Sequence, residues 1–378
     1  MQRSKDRLIV LLLVTGFLIS SHAWAQAPGF TVDAKAAILI DVPSGQVLFE
    51  QDATTRIPPA SLTKIMTVYL AYDALRDGTV HLHDPVTIST QASRMGGSQI
   101  FLKVGDRTTF RHLLQGVAIA SGNDATIAIA EHLSGFPAAF VARMNTKADE
   151  LGLSNTQFQN PHGLSAQNQY ITADDVGRLA LHLIRDHPAA VKLHAMKTFE
   201  HNGITQHNRN RLLWRDPRVD GLKTGWLREA GYHIVATAKE EERQLIAVIL
   251  KARSERARED IALRLLNYGF KNFHNVQFFS KGDRVKNLPV WKGTTDHLGV
   301  VANAPGIAAI KNGTPEPTLT YDFSKKLIAP ITAGQKVGEA VITAEGQELA
   351  RVELVAMSAV PAAGLMKRLL HSLLLLFY

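Results

Sequence analysis

Strand patterns at both ends of a long helical stretch restrict this chain more than any other feature. Residues 36–50 read Ala-Ala-Ile-Leu-Ile-Asp-Val-Pro-Ser-Gly-Gln-Val-Leu-Phe-Glu, two apolar runs around a Pro-Ser-Gly turn. That is a hairpin pattern. Residues 219–225 predict a strand at a sheet edge, and 232–238 and 244–251 predict the two strands after it. Between the two sets, helical periodicity runs through 62–76, 108–133, 140–151 and 172–184. Ser254 is placed to cap one more helix at 255–270, with Ile261, Leu265, Leu266 and Tyr268 facing inward. A sheet built from both ends and covered by the helices between them is the economical solution, an α+β fold with a helical cluster on an antiparallel sheet.

The first of those helices carries the most informative stretch, Pro58-Pro59-Ala60-Ser61-Leu62-Thr63-Lys64. Two prolines suit the approach to a helix. Leu62, Ile65, Met66, Tyr69 and Leu70 then recur at three- and four-residue steps until Asp77-Gly78, predicting a buried amphipathic helix with Ser61 in its first turn. Residues three apart share a helix face, so the Lys64 amine can hang beside the Ser61 hydroxyl. A serine hydroxyl needs a neighbour to take its proton, and a lysine does so only when burial and nearby positive charge lower its pKa. Taken alone, the pair fits an N-cap serine beside a solvated lysine more readily than a nucleophile and its base.

The rest of the chain divides by composition. Arg3, Lys5 and Arg7 precede an apolar run at 8–19, and Ala23-Trp24-Ala25 offers a small-x-small cleavage site, so residues 1–25 read as a secretory signal peptide. Removing them takes away three basic residues and one acid, which lowers the formal charge from +8 to +6. The chain has no cysteine, so export brings no disulfide and no thiol chemistry. Residues 26–273 hold the helical cluster and its sheet. Residues 274–360 carry short strand-like runs at 285–290, 298–301, 308–311, 340–343 and 351–355, a small all-β domain. From 361 to 378 the apolar Leu365, Met366, Leu369, Leu370 and the run 373–377 alternate with Lys367, Arg368, His371 and Ser372. This is too short to span a bilayer and suits a helix lying in a membrane interface; the competing arrangement is a helix docked on the β domain. Basic residues are punctuated by acids and never interleave with aromatics, so nucleic acid is excluded as a partner.

Three short motifs turn this outline into chemistry. Ser61-Leu62-Thr63-Lys64, Ser121-Gly122-Asn123 and Lys223-Thr224-Gly225 occur in this order, at a helix start, an interhelical break and a strand. Each is cheap singly; together the chain resembles the penicillin-recognising serine acyl-enzymes. With Gly122 in the second motif, and with Gly97-Ser98-Gln99-Ile100-Phe101-Leu102, Asn160-Pro161-His162-Gly163-Leu164 and Asn208-Arg209-Asn210 around it, it resembles the D-alanyl-D-alanine carboxypeptidases of the low-molecular-mass penicillin-binding proteins.

The resemblance implies a serine-type carboxypeptidase that removes the terminal D-alanine from peptidoglycan stem peptides through a Ser61 acyl-enzyme and is acylated by β-lactams. It implies Lys64 as base, and Ser121 with Lys223 as the proton relay to the leaving amine. Asn123 is expected on the substrate amide, and the N–H groups of Ser61 and Trp226 on the oxyanion. Lys223 with Thr224 and Gly225, and Arg258 with Arg253 behind it, are candidates for the substrate carboxylate; Arg209 and His162 are secondary. No cofactor or metal is implied. The location implied is the periplasm, with the C-terminal helix on the outer face of the cytoplasmic membrane. One departure stands out: Leu227 occupies a position where the family usually has a hydroxyl. Losing one charge-assisted hydrogen bond costs about 1.5–3 kcal/mol of binding, which alters substrate preference without abolishing activity. Restoring threonine at 227 is expected to raise turnover of a D-Ala-D-Ala peptide.

Four other readings compete. A β-lactamase needs a base that directs water onto the acyl-enzyme, and Glu150-Leu151-Gly152-Leu153 followed by Ser154 matches such a motif only in part. An endopeptidase acting on D-amino-acid cross-links uses the same chemistry. A catalytically dead wall-binding scaffold fits poorly with intact Ser61, Lys64, Ser121, Asn123 and Lys223. Metal-dependent hydrolysis lacks H-E-x-x-H, and His81-Leu82-His83 is an isolated pair in an apparent turn.

Overall fold

The structure, a computed structural model, describes residues 30–324 and 326–377; the signal peptide expected at 1–25 lies outside them. Strands β1 (Ala34–Asp41) and β2 (Val47–Gln51) pair as an antiparallel hairpin. A 3-10 turn at Ala60–Thr63 leads into α1 (Lys64–Arg76). A ribbon of β3 (Pro85–Thr87) and β4 (Arg107–Thr109) follows, with the short α2 (Thr90–Ser93) inside its loop. Helix α3 (Phe110–Gln115) runs on through a π-helical segment, Gly116–Ala120, and α4 (Asn123–Ser134) starts beyond the Ser121-Gly122 break. Helices α5 (Pro137–Glu150), α6 (Ala173–Asp186) and α7 (Pro188–His194) complete this layer. A second ribbon, β5 (Thr198–His201) and β6 (Ile204–His207), and the short α8 (Leu212–Arg215) lead to β7 (Val219–Leu227), β8 (Gly231–Glu240) and β9 (Arg243–Ala252). Helix α9 (Glu255–Asn272) closes the unit, capped by the Ser254 hydroxyl on the Ala257 amide.

The main sheet has the order β2-β1-β9-β8-β7, so β7 is an edge strand, as its sequence suggests. Side chains alternate faces along a strand. Ile38 and Ile40 therefore join the large apolar cluster under the helical layer, while Ala37 and Leu39 join the cluster beneath α9. Helices thus cover both faces. One expectation needs correction: α1 is not amphipathic but buried on nearly every side, including Lys64, Thr67 and Asp73. It runs through the middle of the helical layer and touches α4, α5, α6 and α7, which leaves no solvent face to be polar.

Strand β10 (Phe273–Phe279) continues directly from α9. Beyond it come β11 (Arg284–Trp291), β12 (His297–Ala302), β13 (Gly306–Lys311), β14 (Thr318–Phe323), β15 (Leu327–Ile328), β16 (Lys336–Ala344) and β17 (Gln347–Ala356). They form a six-stranded sheet, β14-β16-β17-β12-β11-β15, and the ribbon β10-β13. All five strand runs expected here fall inside observed strands. β14 is not among those runs although Thr318–Phe323 alternates polar and apolar residues; in the fold none of its side chains is fully buried. The chain ends in α10 (Leu365–Leu374).

Candidate active site

Ser61 sits in the 3-10 turn ahead of α1, and Lys64 is the first residue of the helix proper. The serine is half-buried, whereas the lysine is fully buried. Lys64 Nζ lies 3.1 Å from Ser61 Oγ, 2.7 Å from Asn123 Oδ1 and 2.5 Å from the His162 carbonyl oxygen. Two of these partners are pure acceptors. A neutral amine spends its two N–H groups on them and turns its lone pair to the Ser61 O–H, the arrangement a base requires.

The second and third motifs meet in the same way. Ser121 takes a left-handed backbone (φ 62°) at the end of the π-helical segment. Its hydroxyl accepts from Lys223 Nζ at 2.9 Å, and Lys223 also donates to the Thr224 carbonyl at 3.1 Å. Strand β7 lies hard against the nucleophile's turn: a Cβ on Gly225 would stand 3.2 Å from the Ser61 backbone nitrogen and 3.1 Å from Ala60 Cβ. Residues 61 and 223, distant in sequence, thus belong to one crevice.

Charge tunes the cluster. Burial and the nearby Lys223 ammonium hold Lys64 well below the ordinary lysine pKa, while Asp124 opposes them. Lys223 is lowered to about 7 by burial first, then by Arg258 and Arg209. Each cation makes its neighbour's charge costlier in a dry site, which frees an amine to act as a base near neutral pH.

Around the cluster, Asp124, Gly163 and His233 were not singled out from sequence, while Asn123 and His162 were. The buried Asp124 carboxylate accepts the Ile100 amide at 3.0 Å and the Leu102 amide at 3.1 Å, pinning the 97–102 loop beside the cluster. The Asn123 side-chain N–H donates to the Gly96 carbonyl at 2.7 Å, so in this structure the amide expected on the substrate bonds that loop. His162 contributes its backbone carbonyl to Lys64, while its ring, lowered to about 3 by burial and then by Lys64, accepts the Leu164 amide. Beside it, Gly163 has φ 90°, and a Cβ there would fall 1.8 Å from the Ala60 carbonyl oxygen. His233 is fully buried: Nε2 bonds the Pro58 carbonyl at 3.1 Å and Nδ1 the Lys251 amide at 2.8 Å. It ties the end of β9 to the residue that opens the nucleophile's turn. A single histidine in an apolar strand gave no signal of that role.

The remaining expected residues spread around this centre. Trp226 is exposed at the mouth, Thr224 is buried, and Leu227 ends β7 half-buried. Arg258, the candidate for a substrate carboxylate, is 4% exposed, with one N–H on the Gly225 carbonyl and another on Glu255. Its nearest service is electrostatic, on Lys223. Arg209 is exposed and flanked by buried scaffolding: Asn210 donates to the Gly221 carbonyl at 2.7 Å and Asn208 to the His194 carbonyl at 3.0 Å. Arg253 pairs with Asp33 at 3.5 Å. Glu150 pairs with Lys147 on α5, and among the described residues no carboxylate bonds Ser61 or Lys64. His81 and His83 are exposed, and no three metal-binding side chains cluster among the described residues.

Comparison with known proteins agrees with this geometry. Residues 21–254 match the family model described as D-alanyl-D-alanine carboxypeptidase, and residues 273–362 match the C-terminal domain of penicillin-binding protein 5. The chain is 38% identical over 376 residues to the D-alanyl-D-alanine carboxypeptidase DacC of Escherichia coli K12, covering 96% of this chain and 94% of that one. It is similar to the crystal structure of penicillin-binding protein 5 from Haemophilus influenzae, with TM-score 0.83 and 36% identity over 89% of this chain and 99% of that one. It also resembles penicillin-binding protein D2 of Listeria monocytogenes in its ampicillin-bound form, with TM-score 0.59 and 29% identity over 65% of this chain and all of that one.

Proposed function

The chain belongs to the D-alanyl-D-alanine carboxypeptidase family of low-molecular-mass penicillin-binding proteins, and from that premise we propose how its own residues carry the reaction. The enzyme removes the terminal D-alanine of peptidoglycan pentapeptide stems by a serine mechanism. Neutral Lys64 takes the Ser61 proton as Oγ attacks the penultimate D-Ala carbonyl. The N–H groups of Ser61 and Trp226 stabilise the oxyanion. As the C–N bond breaks, the leaving amine takes the Ser121 proton, which the Lys223 ammonium replaces. Water then opens the acyl ester, passing its proton through Ser121 to the now neutral Lys223, and Lys64 returns its own proton to Ser61 Oγ. A β-lactam acylates the same oxygen and is released slowly, because among the described residues no carboxylate bonds Ser61 or Lys64 to direct water onto the ester.

The observation that carries this reading is the pair of amine–hydroxyl contacts, Lys64 to Ser61 at 3.1 Å and Lys223 to Ser121 at 2.9 Å, in one buried cluster. D-alanine release from a pentapeptide muropeptide, set against cleavage of a cross-linked dimer, separates carboxypeptidase from endopeptidase. Labelling by fluorescent penicillin, lost on Ser61→Ala, tests the nucleophile; rapid turnover of the penicillin would overturn the slow-release expectation.

The same proposal places the enzyme in the periplasm, held on the membrane by α10. Its polar edge faces the β region: His371 Nδ1 accepts the Lys292 amide at 2.8 Å, and Lys367 pairs with Asp296 at 2.7 Å. Its apolar residues point away, with Leu369, Leu370 and Leu373 54%, 57% and 60% exposed. A helix docked by its apolar face would show the reverse. Flotation of the full chain with phosphatidylglycerol vesicles, lost on Leu369→Glu and Leu373→Glu, checks it.

A further inference from the structure

We propose that the end of the main sheet beside Trp226 is a second part of the substrate site, built to hold a carboxylate of the peptide stem away from the scissile bond; this rests on the carboxypeptidase reading. The first residues of β1 and β8, the last of β9 and the turn after β7 border an open groove of about 570 Å³. Trp226 is one of its walls, and the residue before it, Gly225, packs against the Ser61 backbone. Side chains alternate along β7, so the groove opens at the end of the edge strand, on the face opposite the one that Gly225 turns to the Ser61 backbone.

Its charged lining is mostly cationic. Lys35, Arg228, Lys251 and Arg253 face it against Asp33 and Glu229. Both acids are engaged, Asp33 with Arg253 and Glu229 with the Ser165 hydroxyl. Among the described residues, Lys35, Arg228 and Lys251 have no carboxylate within ion-pairing distance. Three exposed cations without ion-pair partners, beside a site that processes a peptide, attract an anionic part of that peptide.

The framework is fixed as well as charged. Lys251 holds a left-handed backbone (φ 58°) at the groove wall, and its amide is the one clamped by buried His233. The other ring nitrogen of His233 bonds Pro58, three residues before Ser61. One buried ring thus sets the groove wall and the nucleophile's turn in register.

The test compares two pentapeptides ending in D-Ala-D-Ala, one with a free glutamyl carboxylate upstream and one with that group amidated. The full chain is expected to favour the acid form about fivefold in kcat/KM, the advantage lying in KM and fading at 0.5 M salt. The double variant Lys35→Gln, Lys251→Gln is expected to bring the ratio to about one. Lys35→Glu with Lys251→Glu is expected to reverse it. Labelling by fluorescent penicillin certifies that each variant is folded. Equal kcat/KM for both peptides on the unaltered chain, or an acid-to-amide ratio unmoved by charge reversal, overturns the groove. Release of D-alanine from neither peptide breaks the carboxypeptidase reading instead.

Discussion

The two halves of the molecule bury different things. Among the described residues, every buried polar or charged side chain lies between Asp41 and Glu259; from Phe273 onward the buried residues are apolar or glycine. Residues 273–377 satisfy a simple rule, apolar inside and charge at the surface. Residues 30–272 break that rule at Lys64, Lys223, Asp124 and His233, and most of those breaks converge on Ser61. Burying an amine costs free energy that an apolar residue would not. It recovers that cost as a lowered pKa, which is chemistry rather than stability. Not every buried charge is catalytic, since Asp73 binds His187 at 2.9 Å and Lys147 at 3.2 Å in a structural network.

The sharpest way to break this contrast is to empty a buried amine. Lys64→Ala is expected to slow penicillin acylation by about 10³–10⁴-fold, the loss of a positioned base. A variant within tenfold of the unaltered rate would remove Lys64 from the mechanism. Glycines offer the next test, because both halves use left-handed ones. Gly163→Ala drives a methyl into the Ala60 carbonyl, and we expect a loss of about 4 kcal/mol or more in urea unfolding. Gly313 has φ 87° with nothing within 4 Å, so Gly313→Ala is expected to cost about 1 kcal/mol. Equal losses at the two sites would mean that the close approach at residue 163 is not what constrains it.

What sequence could supply follows the same division. Local patterns predicted the hairpin, the edge strand β7, the Ser254 cap and most strands of the β region, because alternation and turn chemistry are short-range. Three motifs identified Ser61, Lys64, Ser121 and Lys223 because their order is distinctive. Long-range polar contacts left no such trace. His233 reads as one more residue of an apolar strand, and its reach from Lys251 to Pro58 exists only after folding. Arg258 shows the other side of this: its place in sequence marked it as a candidate for the substrate carboxylate, while its bond to the Gly225 carbonyl and its charge beside Lys223 are legible only in the fold.

Acid should separate the halves next. Burial, with Lys64, lowers His162 to about 3, and burial, with Lys223, lowers His194 to about 3. His233 is lowered to about 4, chiefly by burial. All three start from an ordinary value of 6.5. Lowered histidine pKa values mean that the unfolded chain binds protons the folded chain refuses. Stability therefore falls as pH drops from about 6.5, by up to about 1.4 kcal/mol per pH unit for each histidine, down to about 4 for His233 and about 3 for His162 and His194, and levels off only below that. Urea unfolding of the full chain at pH 7.5, 5.5 and 4.5 reads this slope, and His233→Asn should make it shallower by one proton. A slope unchanged by that substitution would mean that His233 takes up its proton equally in both states.

The smallest expected effect lies where charges are most numerous and least buried. On β16 and β17, Arg351 pairs with Glu339 and with Glu348 at 2.5 Å, while Lys336 reaches Glu339 at 2.6 Å and Glu353 at 3.2 Å. Drawn as contacts, this network is denser than the one around Lys64. Arg351 is nevertheless 44% exposed, so water already solvates the separated ions and salt screens what remains. Arg351→Ala is expected to cost about 0.2–1 kcal/mol in urea unfolding, less at high salt, with D-alanine release unchanged. A loss above about 2 kcal/mol would show that these surface ions act as a unit, and the contrast between the halves would then turn on cooperation among charges rather than on burial.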